Sequence, residues 1–297
     1  MALLTRGSGM KSDAMRKMAR NKAAVAAGIF LCLLILLAVL SPLLEGRVMA
    51  DPGAQNLSQK LMPPSHPHPF GTDALGRDLL ARTVAGARIS LLIGLLATLT
   101  TIFIGVAYGA VAGYFGGTVD NIMMRIVDIL YTLPFIFLVI LLLGLFERSF
   151  VLLFVALGAV QWLTMSRVVR GEVLTLKERD YVNAARALGG NHIRILLRHL
   201  LPNVLSIIIV YATLTVPVII LQEAFLAFLG LTVPGQEHSW GMLINEGIDA
   251  INPVKVSWWL ILFPGTFLTM TLLSLNFLGD GLRDAFDPKK AVAKKTT

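Results

Sequence analysis

A single cysteine, Cys32, stands among the 297 residues, which excludes an intrachain disulfide, a C-x-x-C motif and a cysteine-based metal site. It falls inside the first long apolar run, where packing is its expected role. Charge is scarce too. Asp, Glu, Lys and Arg make up 15% of residues against 56% hydrophobic ones, and this balance excludes an ordinary soluble domain of this size. No G-x-x-x-x-G-K-[ST] phosphate loop is present, so the chain is not expected to hold a nucleotide through one. No catalytic Ser/His/Asp set or metal motif stands out. His66 and His68 are two residues apart, but with no cysteine or carboxylate cluster beside them they read as loop residues.

What is abundant is apolar sequence, with a mean hydropathy of +0.73. A helix crossing the hydrocarbon core needs about 20 mostly apolar residues. Six segments come close: 23–44, 89–111, 122–146, 150–169, 204–226 and 258–278. Only Glu147-Arg148-Ser149 separates the third from the fourth, forcing a tight hairpin. The reading is an all-α, polytopic membrane protein of six transmembrane helices. Val48-Met49-Ala50 resembles a signal-cleavage site, yet the preceding apolar run is too long for a signal peptide's, and an uncleaved helix is expected.

Lys and Arg in short loops set orientation. Nineteen lie in the N-terminal stretch, the insert between the fourth and fifth spans with its approaches, the C-terminal tail and at Arg125. Seven lie on the other side: Arg47, Lys60, Arg77, Arg82, Arg88, Arg148 and Lys255. The expected organisation is a cytoplasmic N-terminal tail (1–22), a first helix (23–44), an extracytoplasmic segment (45–88), a five-helix core (89–279) and a cytoplasmic tail (280–297). The core carries a cytoplasmic loop at 177–203 and an outer segment at 230–257.

The prolines at Pro63-Pro64, Pro67 and Pro69 keep the approach to Phe70-Gly71-Thr72-Asp73 extended. Residues 73–88 read as an amphipathic piece lying along the outer membrane surface, with Leu75, Leu79, Leu80 and Val84 on one face and Arg77, Asp78 and Arg82 mostly on the other. Gly105, Gly109 and Gly113, at four-residue spacing, form a helix-packing face together with Gly94. Pro134, Pro217 and Pro264 are expected to kink three spans. The candidate path-lining polar residues are Gln161, Glu223 and Asn276; Glu223 sits near the outer end, within reach of interfacial water. Asp128 is expected to pair with Arg125 three residues earlier. Trp258-Trp259 reads as an interfacial anchor, and 239–251 as a short helix over the outer mouth.

The polar insert reads as two short helices. Residues 179–188 lack proline and glycine, Gly189-Gly190 supplies a left-handed termination, Asn191 caps a second helix running to His199, and Pro202 marks the junction with the next span. Three roles compete for it. DNA binding is disfavoured by tethering between spans and by Glu178 and Asp180 among the arginines. A loop lying on anionic lipid is the plain alternative. Protein docking would explain why Ala184 and Ala185 are small.

Asn183-Ala184-Ala185, then Gly189, His199 and Leu201-Pro202 resemble the EAA loop of ABC importer membrane subunits, with Asn183 in place of the usual glutamate and His199 in place of an aliphatic residue. Phe70-Gly71-Thr72-Asp73, Gly76-Arg77-Asp78, Gly113-Tyr114-Phe115-Gly116-Gly117, Phe228-Leu229-Gly230, Gly279-Asp280-Gly281-Leu282-Arg283-Asp284 and Asp287-Pro288 are similar to the C-type permease subunit of dipeptide and oligopeptide importers. The resemblance implies a type I importer permease bundle in a bacterial inner membrane. It implies ATPase coupling through Asn183, Ala184, Ala185, Gly189, His199, Leu201 and Pro202. It also implies four partners: a homologous second permease, two cytoplasmic ATPase subunits and an extracytoplasmic peptide-binding protein. Membrane lipid surrounds the chain, nucleic acid is not a partner, and ATP and Mg belong to the ATPases, so no cofactor is expected here. The cargo implied is peptide, with nickel or another small solute as the alternative.

Overall fold

The computed structural model describes residues 18, 21–46, 49–234, 238–252 and 256–286. The basic residues Arg6, Lys11, Arg16, Lys17, Arg20, Arg47, Lys255, Lys289, Lys290, Lys294 and Lys295, together with Val48, Asp287 and Pro288, lie outside the described residues.

Among the described residues the regular structure is helical, with only two isolated β-bridges. In chain order the helices are α1 (Lys22–Leu44), α2 (Leu79–Phe115), α3 (Gly117–Thr132), α4 (Phe135–Leu145), α5 (Phe150–Leu176), α6 (Asp180–Ala187), α7 (His192–Ile195), α8 (Leu201–Phe228), α9 (Trp240–Asp249) and α10 (Trp259–Phe286). A π-helical turn, Leu196–Leu200, joins α7 to α8. Among the described residues, five helical stretches are long and apolar enough to cross a membrane, and α3 with α4 makes a sixth if that bent pair counts as one span.

Several boundaries differ from the sequence reading for local reasons. The third span is broken rather than kinked: α3 and α4 meet at 89°. Pro134 has no N–H to continue the helix and pushes Leu133 into an extended conformation, φ −74° and ψ 127°. Pro217 and Pro264, by contrast, lie inside continuous helices. The amphipathic piece does not lie separately on the surface. Asp78 caps α2, its carboxylate accepting from the Ala81 amide at 2.8 Å, and the helix then runs uninterrupted for 37 residues. Pro202 is the second residue of α8 and so stands at the junction with the fifth span, as its sequence position indicates. The Leu201 amide reaches back five residues to the Leu196 carbonyl, so the π turn passes the chain into α8 without a break.

The chain forms two compact units. The first comprises the described residues up to Gly94 and from Pro217 onward; the second is Leu95–Val216. In the first unit α1 packs along α10, close enough that a Cβ on Gly281 would stand 2.7 Å from the Ala24 Cβ. The outer segment folds onto the start of α10, where Phe70 stacks on Phe263 (centroids 4.1 Å apart) and Trp259 donates from Nε1 to the Thr72 carbonyl at 3.2 Å. Trp259 is therefore buried beneath protein rather than anchored at an interface, while Trp258 is half exposed. Cys32 is exposed on α1 and packs into no core among the described residues.

In the second unit, the face of α2 bearing Gly105, Gly109 and Gly113 lies against α5. A Cβ on these glycines would stand 2.6 Å from the Met165 Cβ, 2.3 Å from the Ser166 carbonyl oxygen and 2.8 Å from the Arg170 carbonyl oxygen. Gly158 gives the reciprocal approach from α5, toward Ala97 and Thr100.

Candidate functional site

The insert is built outward from a buried apolar cluster. Val182 of α6, Ile195 of α7 and Leu200 of the π turn pack with Tyr114 of α2, with Met165, Val169 and Val173 of α5, and with Val204 of α8. Burial of these side chains, each contributing on the order of 1.5–3 kcal/mol, holds two helices that are too short to persist alone. Between them Gly189 adopts φ +77°, a conformation costly for other residues, and the Gly190 amide returns to the Ala185 carbonyl at 3.0 Å. The Asn191 side chain accepts from the Ile193 amide at 3.3 Å, capping α7.

With one face buried, the other is presented outward. Asn183 and Ala184 are exposed, Ala185 is half-buried against the cluster, and a Cβ on Gly189 would meet nothing within 4 Å. Leu188 is 88% exposed, and Tyr181, Ile193 and Leu197 are also exposed. These apolar side chains were not singled out in the sequence. The helical wheel was the available signal, since Leu188 lies well off the stripe that carries Val182 and Ala185. His199 and Leu201 are half-buried, whereas Pro202 is exposed, so the quoted motif does not form one continuous surface.

Polar contacts tie the insert to its surroundings. The Tyr114 hydroxyl meets His192 Nδ1 at 2.8 Å, and the Arg186 guanidinium lies 5.8 Å from the centroid of the Tyr114 ring. Lys177 donates from Nζ to the Gly113 carbonyl at 3.0 Å, placing a cation at the C-terminal end of α2. Further along α5, Arg170 makes a bidentate pair with Asp120 (2.5 and 2.6 Å), and Arg167 pairs with Asp128 at 2.7 Å while lying 4.4 Å from the Tyr131 ring centroid. The Asp128 partner is thus an arginine of the neighbouring helix rather than Arg125.

In the first unit a second polar cluster was not foreseen. The carboxylate of Asp73 accepts from Arg77 Nε (2.6 Å) and Arg82 Nη1 (2.7 Å), and Glu246 accepts from Arg77 Nη2 (3.0 Å) and from both Arg82 terminal nitrogens. His68 Nδ1 lies 2.8 Å from Asp78 Oδ2. Among the described residues no group of three or more His, Cys, Asp or Glu could hold a metal ion. Glu223 does not reach interfacial water: it is fully buried, and Ser90 donates to its carboxylate at 3.4 Å. Gln161 is half-buried, and Asn276 is exposed with its amide donating to the Leu272 carbonyl.

Residues 105–292 match the family described as the binding-protein-dependent transport system inner membrane component, and residues 10–64 match the N-terminal TM domain of oligopeptide transport permease C. The chain is 45% identical over 283 residues to the oligopeptide transport system permease protein OppC of Haemophilus influenzae, spanning 95% of this chain and 90% of that one. It is 46% identical over 283 residues to OppC of Escherichia coli K12, spanning 95% and 92%. It is 45% identical over 277 residues to the dipeptide transport system permease protein DppC of Bacillus subtilis, spanning 93% and 85%. Among solved structures, a chain of the inward-facing MetNI methionine ABC transporter aligns with a TM-score of 0.56 at 18% identity, covering 70% of this chain and 97% of that one, a likeness of fold. Helices long and apolar enough to cross a membrane, the absence of strands among the described residues and this alignment give the chain an ABC importer permease fold. With matches of this extent at both levels, the chain belongs to the inner-membrane components of binding-protein-dependent transport systems.

Proposed function

We propose that this chain is a permease subunit of an ATP-driven peptide importer, forming half of a translocation path with a homologous second permease. Two cytoplasmic ATPases drive the complex, and an extracytoplasmic binding protein delivers the peptide. The observation that carries this reading is the insert itself, a capped helix–glycine–helix unit anchored by Val182 and Ile195 and presenting Asn183, Ala184 and Leu188 outward. Leu188 is accompanied by exposed Tyr181, Ile193 and Leu197, and several exposed apolar side chains among polar ones on one short insert favour a protein-docking surface. The relatives quoted are named for oligopeptide or dipeptide transport, which favours peptide over nickel or another small solute. The imbalance of Lys and Arg supports cytoplasmic termini and a cytoplasmic insert.

On this reading the chain is non-catalytic and binds no cofactor, and ATP and Mg are held by the ATPases. Coupling falls to Asn183, Ala184, Ala185 and Gly189, backed by His199, Leu201 and Pro202. Glu223 acts by holding α8 to α2 through Ser90 rather than by meeting peptide, and Gln161 and Asn276 have modest roles in the path. The test is ATP-dependent uptake of labelled di- to pentapeptides by proteoliposomes holding this chain, its co-purified partners and the binding protein. Uptake that is lost in Gly189→Trp while complex yield persists is the expected result. ATP hydrolysis without peptide movement in the unaltered complex would overturn the peptide assignment.

A further inference from the structure

We propose that Tyr114 and His192 are positioning residues that transmit displacement of the insert to α2. The inference rests on the coupling role proposed above and deepens it. Tyr114 lies in the last turn of α2, is 7% exposed, and directs its hydroxyl to His192 Nδ1 at 2.8 Å. His192 is the first residue of α7, immediately after the Asn191 cap. Arg186 of α6 lies over the same tyrosine ring, so one side chain of α2 touches both short helices of the insert. The apolar contacts that hold the insert are non-directional, whereas a hydrogen bond of this length adds a fixed distance and angle.

The end of α2 is secured to the rest of the unit at close range. Lys177 Nζ holds the Gly113 carbonyl, and Gly105, Gly109 and Gly113 bring α2 against α5 without intervening side chains. A push on α6 and α7 thus meets α2 through a short polar link as well as through the packed apolar cluster that Tyr114 shares with Val182 and Ile195. Deleting that link should leave ATPase docking and hydrolysis in place while less of each hydrolytic cycle reaches the path.

The experiment measures peptide taken up per ATP hydrolysed by the complete complex in proteoliposomes. Tyr114→Phe keeps the ring, and with it the Arg186 contact, but removes the hydroxyl; it should lower the ratio about fivefold, the size of one net hydrogen bond. His192→Ala should lower it comparably. His192→Asn, which keeps a polar atom near the position of Nδ1, should restore most of it. The double variant Tyr114→Phe/His192→Ala should be no worse than either single one, because both delete the same bond. An unchanged ratio in Tyr114→Phe, additive losses in the double variant, or reduced complex yield at an unchanged ratio would overturn the proposal. Failure of the unaltered complex to move peptide would instead count against the function proposed above, so the two failures are distinguishable.

Discussion

Gly109 and Gly171 are both helical glycines, yet an added methyl group acts on them in opposite directions. A Cβ on Gly109 would lie 2.3 Å from the Ser166 carbonyl oxygen, a backbone atom that cannot rotate aside, while one on Gly171 meets nothing within 4 Å. Gly109→Ala should therefore push α2 from α5 and destabilise the protein by about 1–3 kcal/mol. Gly171→Ala should stabilise it by about 0.5–1 kcal/mol through reduced backbone entropy of the unfolded chain. Thermal unfolding in detergent, read by loss of monodisperse protein, compares the two, and a lower midpoint for Gly171→Ala than for Gly109→Ala would contradict the packing described. The spacing of Gly105, Gly109 and Gly113 was legible in the sequence because a helix has a fixed period; the identity of the facing helix was not, since that depends on chain connectivity in three dimensions.

At the scale of elements, two arginines of α5 hold α3 with different force. Asp120 is buried and receives both prongs of Arg170, whereas Asp128 is 64% and Arg167 40% exposed. Asp120→Asn should cost about 1.5–3 kcal/mol, the range for hydrogen bonds to charged groups, while Asp128→Asn should cost about 0–1 kcal/mol. Raising the ionic strength should narrow the Asp128 effect further, and unfolding midpoints at two salt concentrations check both statements. In the first unit, Glu246 of α9 joins the outer segment to α2 through Arg77 and Arg82. Glu246→Gln leaves Asp73 as the carboxylate facing both guanidinium groups in this cluster and should loosen residues 49–78. The expected sign is faster proteolytic cleavage there, at an unchanged rate within the insert. By sequence, Arg77, Asp78 and Arg82 favour a surface amphipath over residues 73–88, because charged side chains are normally exposed. Arg82 and Asp73 are buried all the same, because each finds a partner of opposite sign, and Arg82 finds a second one in Glu246, 164 residues away in sequence.

For the whole molecule, the orientation inferred from Lys and Arg placement has a direct check. In a Cys32→Ser background, Leu57→Cys should react with a membrane-impermeant maleimide in intact spheroplasts, while Leu188→Cys should react only after lysis; both side chains are exposed, so access is decided by sidedness. Labelling of Leu188→Cys in intact cells would invert the topology and remove the docking role of the insert. The same reagent supplies a partner test. Leu188→Cys, with its thiol at the most exposed apolar position of the insert, should be protected from labelling in permeabilised cells once the ATPases are bound.

Sequence alone determined the class of this protein, because crossing a bilayer demands long apolar helices and that demand is written locally, residue after residue. It also determined the helix–glycine–helix form of the insert, since caps and a left-handed glycine act over a few residues. Tertiary structure decided what local chemistry leaves open. It paired Asp128 with Arg167, buried Glu223 beside Ser90, placed Trp259 beneath the outer segment and brought Tyr114 to His192. Each of these contacts joins positions at least 39 residues apart, so the partner is selected by how helices pack and not by spacing along the chain.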